Sequence, residues 1–181
     1  MLPAVHARTP ISSDVQTLSL LRHAKSSWAD PTLPDRERPL APRGRRDAKR
    51  IAKHLRRLGF EPELVLCSSA ARTRETLELV RPSLAGSAVS LEEGLYAASR
   101  DELLTRLRLV PDDVSSVMLI GHNPGLQELA LTLGSAGDEL ERLRSKFPTG
   151  ALAMLTVATT WRRLAPAEAA LAAYVVPKQL R

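Results

Sequence analysis

Thr17-Leu18-Ser19-Leu20-Leu21-Arg22-His23-Ala24-Lys25-Ser26-Ser27-Trp28 starts as an apolar run of strand length and breaks into a cationic, hydroxyl-rich stretch. Similar short apolar runs recur at residues 64–67, 88–91 and 117–120, most of them bounded by Ser, Gly, Pro or Asp, with helical patterns between them. In residues 43–58, Ile51, Leu55 and Leu58 share one face while Lys49, Arg50, Lys53, Arg56 and Arg57 point away, and Gly59 marks the stop. Residues 73–80, 100–109 and 126–133 supply further helical segments; Ser99 followed by Glu102 predicts a capping box, and Gly134 ends the last. After a turn at residues 148–150, residues 151–158 and 171–176 read as two closing strands. The alternation predicts an α/β fold with a largely parallel sheet.

The length of 181 residues with 44% hydrophobic side chains suits one domain, expected over residues 16–181 behind a disordered N-terminal tail at 1–15. That tail lacks the basic start and apolar stretch of a secretory signal. The longest apolar runs, such as 169–176, fall far short of the roughly 20 residues of a membrane span, so no membrane partner is expected. A single cysteine, Cys67, excludes an intrachain disulfide and a multi-cysteine zinc site, and fits a reducing cytoplasm.

The net charge of +6 favours anionic partners. The aromatic residues Trp28, Phe60, Tyr96, Phe147, Trp161 and Tyr174 are scattered and far from the basic runs, which argues against a stacking platform for specific nucleic-acid binding. The cations are mostly arginine, whose planar fork suits oxyanions, and phosphate is the sharper expectation. One long irregular stretch, residues 30–42, carries Pro31, Pro34, Pro39 and Pro42 among charged residues, a spacing that no helix survives.

In a parallel α/β sheet, ligands bind beyond the carboxyl ends of the strands. After the first expected strand stand Arg22, His23 and Lys25; after the second, Ser68, Ser69 and Arg72; after the fourth, Gly121, His122 and Asn123. Two histidines and two arginines at one rim have a logic for phosphoryl transfer. A neutral imidazole attacks phosphorus in line, while guanidinium groups and a second, protonated imidazole hold the charged oxygens. No metal or other cofactor is needed for that chemistry.

The segments Leu20-Leu21-Arg22-His23-Ala24-Lys25-Ser26-Ser27-Trp28, Ser68-Ser69-Ala70-Ala71-Arg72 and Ile120-Gly121-His122-Asn123-Pro124-Gly125 resemble the histidine phosphatase superfamily, with the SixA-like phosphohistidine phosphatases as the nearest branch. The resemblance runs over residues 17–177. It implies a three-layer sandwich with helices on both faces of the sheet. It further implies His23 as the phosphorylated nucleophile, Arg22 and Arg72 as phosphate ligands and His122 as the second pocket histidine; Ser68, Lys25 and Asn123 are candidate substrate contacts. Arg38-Pro39-Leu40-Ala41-Pro42-Arg43-Gly44 and Leu95-Tyr96-Ala97-Ala98 also look like segments of that branch. Ala24 stands where the wider superfamily has glycine, and Ser69 where proline is common.

The superfamily's phosphomonoesterases use a carboxylate to protonate the leaving alkoxide, and here Glu92 and Glu93 are the candidates, with Asp30 and Asp35 behind them. An imidazole leaving from phosphohistidine has a reference pKa of about 6.5 and needs less help. The expected substrate is therefore a phosphorylated protein bearing phosphohistidine. A small phosphorylated metabolite, or a non-catalytic phosphate-binding module, is the alternative.

Several residues also have plainer readings. Taken alone, His23 is a loop or core histidine, His122 a turn residue, and Ser68, Ser69 and Arg72 ordinary residues at a helix start. Lys25 and Trp28 either line the mouth or pack. Residues 49–57 read as a solvated basic face, which includes His54, while His6 belongs to the tail. Cys67 and Arg72 enclose four residues where a cysteine phosphatase loop has five, so Cys67 reads as a small strand-end hydrophobe.

Overall fold

The computed structural model describes residues 15–180, so the expected tail and His6 lie outside the described residues except for Val15. Strands β1 (Gln16–Arg22), β2 (Leu64–Ser68), β3 (Ala88–Glu92) and β4 (Ser116–Gly121) run parallel in the order β3-β2-β4-β1. On the other side of β1, β5 (Leu152–Val157) pairs antiparallel, and β6 (Ala169–Val175) pairs antiparallel with β5. The mostly parallel sheet expected from the alternation is present, and the two closing strands complete it.

Alternation of side chains along each strand splits the core into two layers. Leu18, Leu20, Leu66, Val117, Leu119, Ala153 and Leu155 face α3 (Arg100–Arg108), α4 (Gly125–Leu133) and α5 (Asp138–Ser145). Leu21, Val65, Cys67, Met118, Ile120 and Leu152 face α1 (Pro42–Leu58) and α2 (Ala71–Val80). Helices thus cover both faces, as a three-layer sandwich requires. Burying a leucine or isoleucine fully contributes roughly 1.5–3 kcal/mol, and the central strands consist largely of such residues.

Most differences from the sequence expectation lie at element ends. Helix α1 begins on Pro42, because proline at the first helical position loses no hydrogen bond and arrives with helical φ. It ends at Gly59, whose φ of 61° is left-handed. Helix α5 was not expected: its sequence is mostly charged, and Leu140 and Leu143 alone bury themselves. The proline-rich stretch holds one short 3-10 turn, Asp35–Glu37, and its far end returns to the loop that follows β1. There Ser27 donates its N–H to Pro39 O at 2.8 Å and Ala41 donates to Lys25 O at 2.8 Å. Gly44 explains how close α1 comes to that loop: a Cβ there would stand 2.2 Å from Lys25 O.

Candidate active site

Register brings the chemistry together. Arg22 lies beside Gly121 across the β1–β4 pair, and Cys67 lies beside Ile120 across β2–β4. The next residues along, His23, His122 and Ser68, therefore meet at one edge. An open cavity of about 370 Å³ is lined there by Arg22, His23, Arg72, His122, Lys25 and Asn123, and also by Asp35, Arg38, Tyr96 and Thr149. Trp28 lines its mouth and is 68% exposed.

The two imidazoles lie with ring centroids 5.2 Å apart. His23 Nδ1 is 2.8 Å from the carbonyl oxygen of Ala24. A carbonyl can only accept, so Nδ1 carries the proton and Nε2 keeps its lone pair. Burial, with the neighbouring His122, Arg72 and Arg22, outweighs that hydrogen bond and pushes the His23 pKa down to about 3. His23 is thus a neutral, oriented imidazole at physiological pH.

On the other side, Arg72 donates to His122 Nδ1 at 3.4 Å, and His122 Nε2 lies 2.7 Å from Ser68 Oγ. An arginine can only donate, so the proton of the neutral ring is on Nε2 and goes to Ser68. Burial and then the Arg72 charge push His122 down to about 4. The second imidazole, expected from sequence to be protonated, is therefore neutral at physiological pH. Ser68 is fully buried and does not line the cavity, so it orients His122 from behind rather than standing where a substrate would touch it.

Arg22 donates to Phe147 O at 2.8 Å, and its buried Nε has no partner. Burial and the Arg72 charge both lower its pKa. Asn123 Nδ2 donates to the same Phe147 oxygen at 3.1 Å, which ties both residues to the loop before β5. Lys25 is exposed at the rim.

The carboxylates are arranged differently from the sequence expectation. Glu92 accepts two hydrogen bonds from Arg106, both at 2.7 Å, and these hold its carboxyl below the usual range; it does not line this cavity. Glu93 is exposed, pairs with Arg36 and also lies outside the cavity. Asp30 is exposed and bonds Thr32 within its own turn. Asp35 is the one carboxylate among the cavity's lining residues. Its Oδ2 accepts from Arg72 at 2.9 Å and from Tyr96 at 2.8 Å, its Oδ1 accepts from Arg38 at 2.8 Å, and its backbone oxygen accepts from Arg72 at 2.6 Å. Burial acts to raise its pKa. The hydrogen bonds from Tyr96, Arg72 and Arg38 and the Arg72 charge outweigh that, and its carboxyl stays below the usual carboxylate range.

Arg38 is buried and clamps the loop: it donates to Ser27 O at 3.0 Å and to Ser26 Oγ at 2.6 Å, and it lies over the Trp28 ring. Tyr96 stands edge-on to His122 at 5.5 Å. The roles of Arg38 and Tyr96 were visible in the sequence only as parts of branch-like segments. Thr149 had no signal at all. Cys67 is fully buried and its thiol is pushed up to about 12 by burial, as suits a packing residue. The basic face of α1 is exposed, with His54 half-buried on it and remote from the cavity.

Comparison with known proteins gives the family. The profile of the histidine phosphatase superfamily (branch 1) matches residues 18–98. An uncharacterized protein of Mycobacterium leprae is 37% identical over 164 residues, covering 87% of this chain and all of that protein. An uncharacterized chloroplastic protein of Arabidopsis thaliana is 35% identical, covering 75% of this chain and 66% of its own. Among solved structures, the candidate phosphohistidine phosphatase SixA of Nakamurella multipartitia superposes with a TM-score of 0.79 at 32% identity, covering 90% of this chain and 96% of that one. The protein histidine phosphatase SixA in complex with tungstate shares the fold, with a TM-score of 0.76 at 22% identity over 92% of this chain and 100% of its own.

Proposed function

The chain belongs to the histidine phosphatase superfamily, in its SixA-like branch, and as such is a phosphatase; from that premise we propose that its substrate is phosphohistidine on a protein. In this reading His23 Nε2 attacks phosphorus in line. The bond from phosphorus to the substrate's imidazole nitrogen breaks with its electron pair staying on that nitrogen, the ring leaves as neutral imidazole because its other nitrogen carries a proton, and the phosphoryl group passes to His23. Water then attacks phospho-His23, releasing inorganic phosphate and restoring the free imidazole.

Arg22 and Arg72 hold the equatorial oxygens. A phosphate dianion beside His122 favours its charged form, so the ring takes up a proton on Nδ1 and donates it to a phosphoryl oxygen while Nε2–H stays on Ser68. Arriving phosphate also displaces Asp35 from Arg72. The freed carboxylate then loses a cation and gains an anionic neighbour, which raises its proton affinity; it serves an ester oxygen only after that displacement and proton uptake, a cost that a leaving imidazole avoids.

The observation that carries the choice of phosphohistidine is the state of that one carboxylate. Asp35 is held as a carboxylate by three donors, while Glu92 and Glu93 lie outside the cavity. An alkoxide needs a proton as it leaves; an imidazole with a reference pKa of about 6.5 does not need it to the same degree. The open cavity also suits a side chain standing out from a protein surface. A side-by-side measurement of phosphate release from a phosphohistidine peptide, a sugar phosphate and an aryl phosphate, with chelator present, tests this. The peptide is expected to turn over fastest; a sugar phosphate in first place overturns it in favour of a metabolite phosphatase.

A further inference from the structure

Beyond Thr149 the wall of the catalytic cavity becomes the wall of a second cavity, of about 260 Å³, between the start of α1, the end of α5 and the residues after β6. Four cations line it, Arg43, Arg142, Lys146 and Lys178, against a single carboxylate, Asp47. That carboxylate is already engaged by Arg43 at 3.5 Å and Arg50 at 3.1 Å. Arg142 pairs with Glu139 and lies over the Tyr174 ring. Lys146 and Lys178 are exposed and make no ion pair with a described residue. The groove therefore carries surplus positive charge beside an apolar floor of Tyr174 and Pro177.

Its position relative to the chemistry is fixed by backbone. Gly150 donates its N–H to Arg22 O at 3.1 Å and His23 O at 3.0 Å, so the loop that carries Thr149 is fastened to the end of β1. Gly150 has a φ of 76°, and a Cβ there would come 2.9 Å from Pro177 Cγ; the groove's floor is packed directly on that fastening. A separate cavity beside Arg36 and Ser69 is different in character. There Arg36 and Arg74 are balanced by Glu37 and Glu93.

We propose that this groove seats an acidic stretch of the substrate protein, next to the phosphohistidine, and so contributes to substrate choice. The proposal rests on the protein-phosphohistidine reading above. Charge complementarity selects the occupant: carboxylate side chains meet Lys146 and Lys178 at the rim, where such charges act on encounter and KM more than on the chemical step. The shared Thr149 wall lets one polypeptide occupy both cavities at once.

The experiment compares three substrates: free phosphohistidine, a phosphohistidine peptide with Asp and Glu flanks, and the same peptide with Asn and Gln flanks. The unmodified protein and a Lys146→Glu/Lys178→Glu variant are assayed at low and high salt. The unmodified protein is expected to favour the acidic peptide by about tenfold in kcat/KM, through KM, with the preference fading at high salt. In the variant the preference should vanish or invert, while the rate on free phosphohistidine, which also reports an intact fold, stays unchanged. Equal use of both peptides by the unmodified protein, or a preference that survives the charge reversal, overturns the groove alone. Failure to hydrolyse free phosphohistidine and both peptides overturns the phosphohistidine reading and the groove with it.

Discussion

In the proposed reaction Asp35 competes with the substrate phosphate for Arg72, and Asp35→Asn is the perturbation that measures this. Both terminal nitrogens of Arg72 are spent on Asp35, one on the carboxylate at 2.9 Å and one on the backbone oxygen at 2.6 Å. An oxyanion entering Arg72's fork must break the first of these and sit close to a negative charge. Two unit charges 4 Å apart interact by about 4 kcal/mol near a protein surface. The Asp35 side chain is 50% exposed, so solvent screening cuts this to about 1–2 kcal/mol. Asparagine keeps the shape and removes the charge. The variant should therefore bind orthovanadate or tungstate about tenfold more tightly, read by calorimetry at pH 7.5 and low salt. If Asp35 is also the proton donor, the same variant should lose about 10²-fold or more in turnover of an alkyl phosphate, and much less on phosphohistidine. Tighter oxyanion binding joined to slower ester hydrolysis is the signature. An unchanged or weakened oxyanion affinity refutes the idea that Asp35 competes for Arg72.

His23→Ala should abolish turnover, while Arg72→Ala and His122→Ala should each lose on the order of 3 kcal/mol or more of transition-state stabilisation in kcat/KM; full activity in the His23 variant would refute the nucleophile. Cys67→Ser should leave activity nearly unchanged, since burial holds the thiol far above neutral pH. The depressed histidines also make a stability prediction. Both titrate lower in the folded protein than the unfolded value of about 6.5, so folding releases protons and stability falls as pH drops below 6.5. Each contributes up to about 1.4 kcal/mol per pH unit, His122 down to about pH 4 and His23 down to about pH 3. Denaturation against pH should show that slope, reduced in His122→Gln. Nucleic acid should bind weakly, without sequence preference, and release near physiological salt; a salt-resistant complex in a gel shift would contradict the arginine-for-phosphate reading.

The parts of this molecule legible in sequence are those where a local pattern and the global fold agree. The strands centred on Leu20, Leu66 and Leu119 announce themselves as apolar runs because both faces of the parallel sheet are buried. The positions of Arg22, His23, Arg72 and His122 then follow from where the runs stop. Helix α5 was hidden because its formation depends on seating Leu140 and Leu143 on a core built by distant strands, with no stripe wide enough to read along the chain. The carboxylate was misplaced for a related reason. Glu92 and Glu93 stand at a strand end, as the histidines do, but β3 is an edge strand, and the two carboxylates pair with Arg106 and Arg36 outside the cavity lining. Asp35 lies in a stretch whose prolines say only what it is not. Its place is set by Arg38, which reaches back to Ser26 and Ser27, and by the Ser27 and Ala41 hydrogen bonds that fold the stretch over the catalytic loop. None of those contacts has a period or a spacing. A residue held by side-chain bonds across a loop is invisible to pattern, whereas a residue held by the end of a buried strand is not, and here the division separates the two histidines and two arginines from the carboxylate beside them.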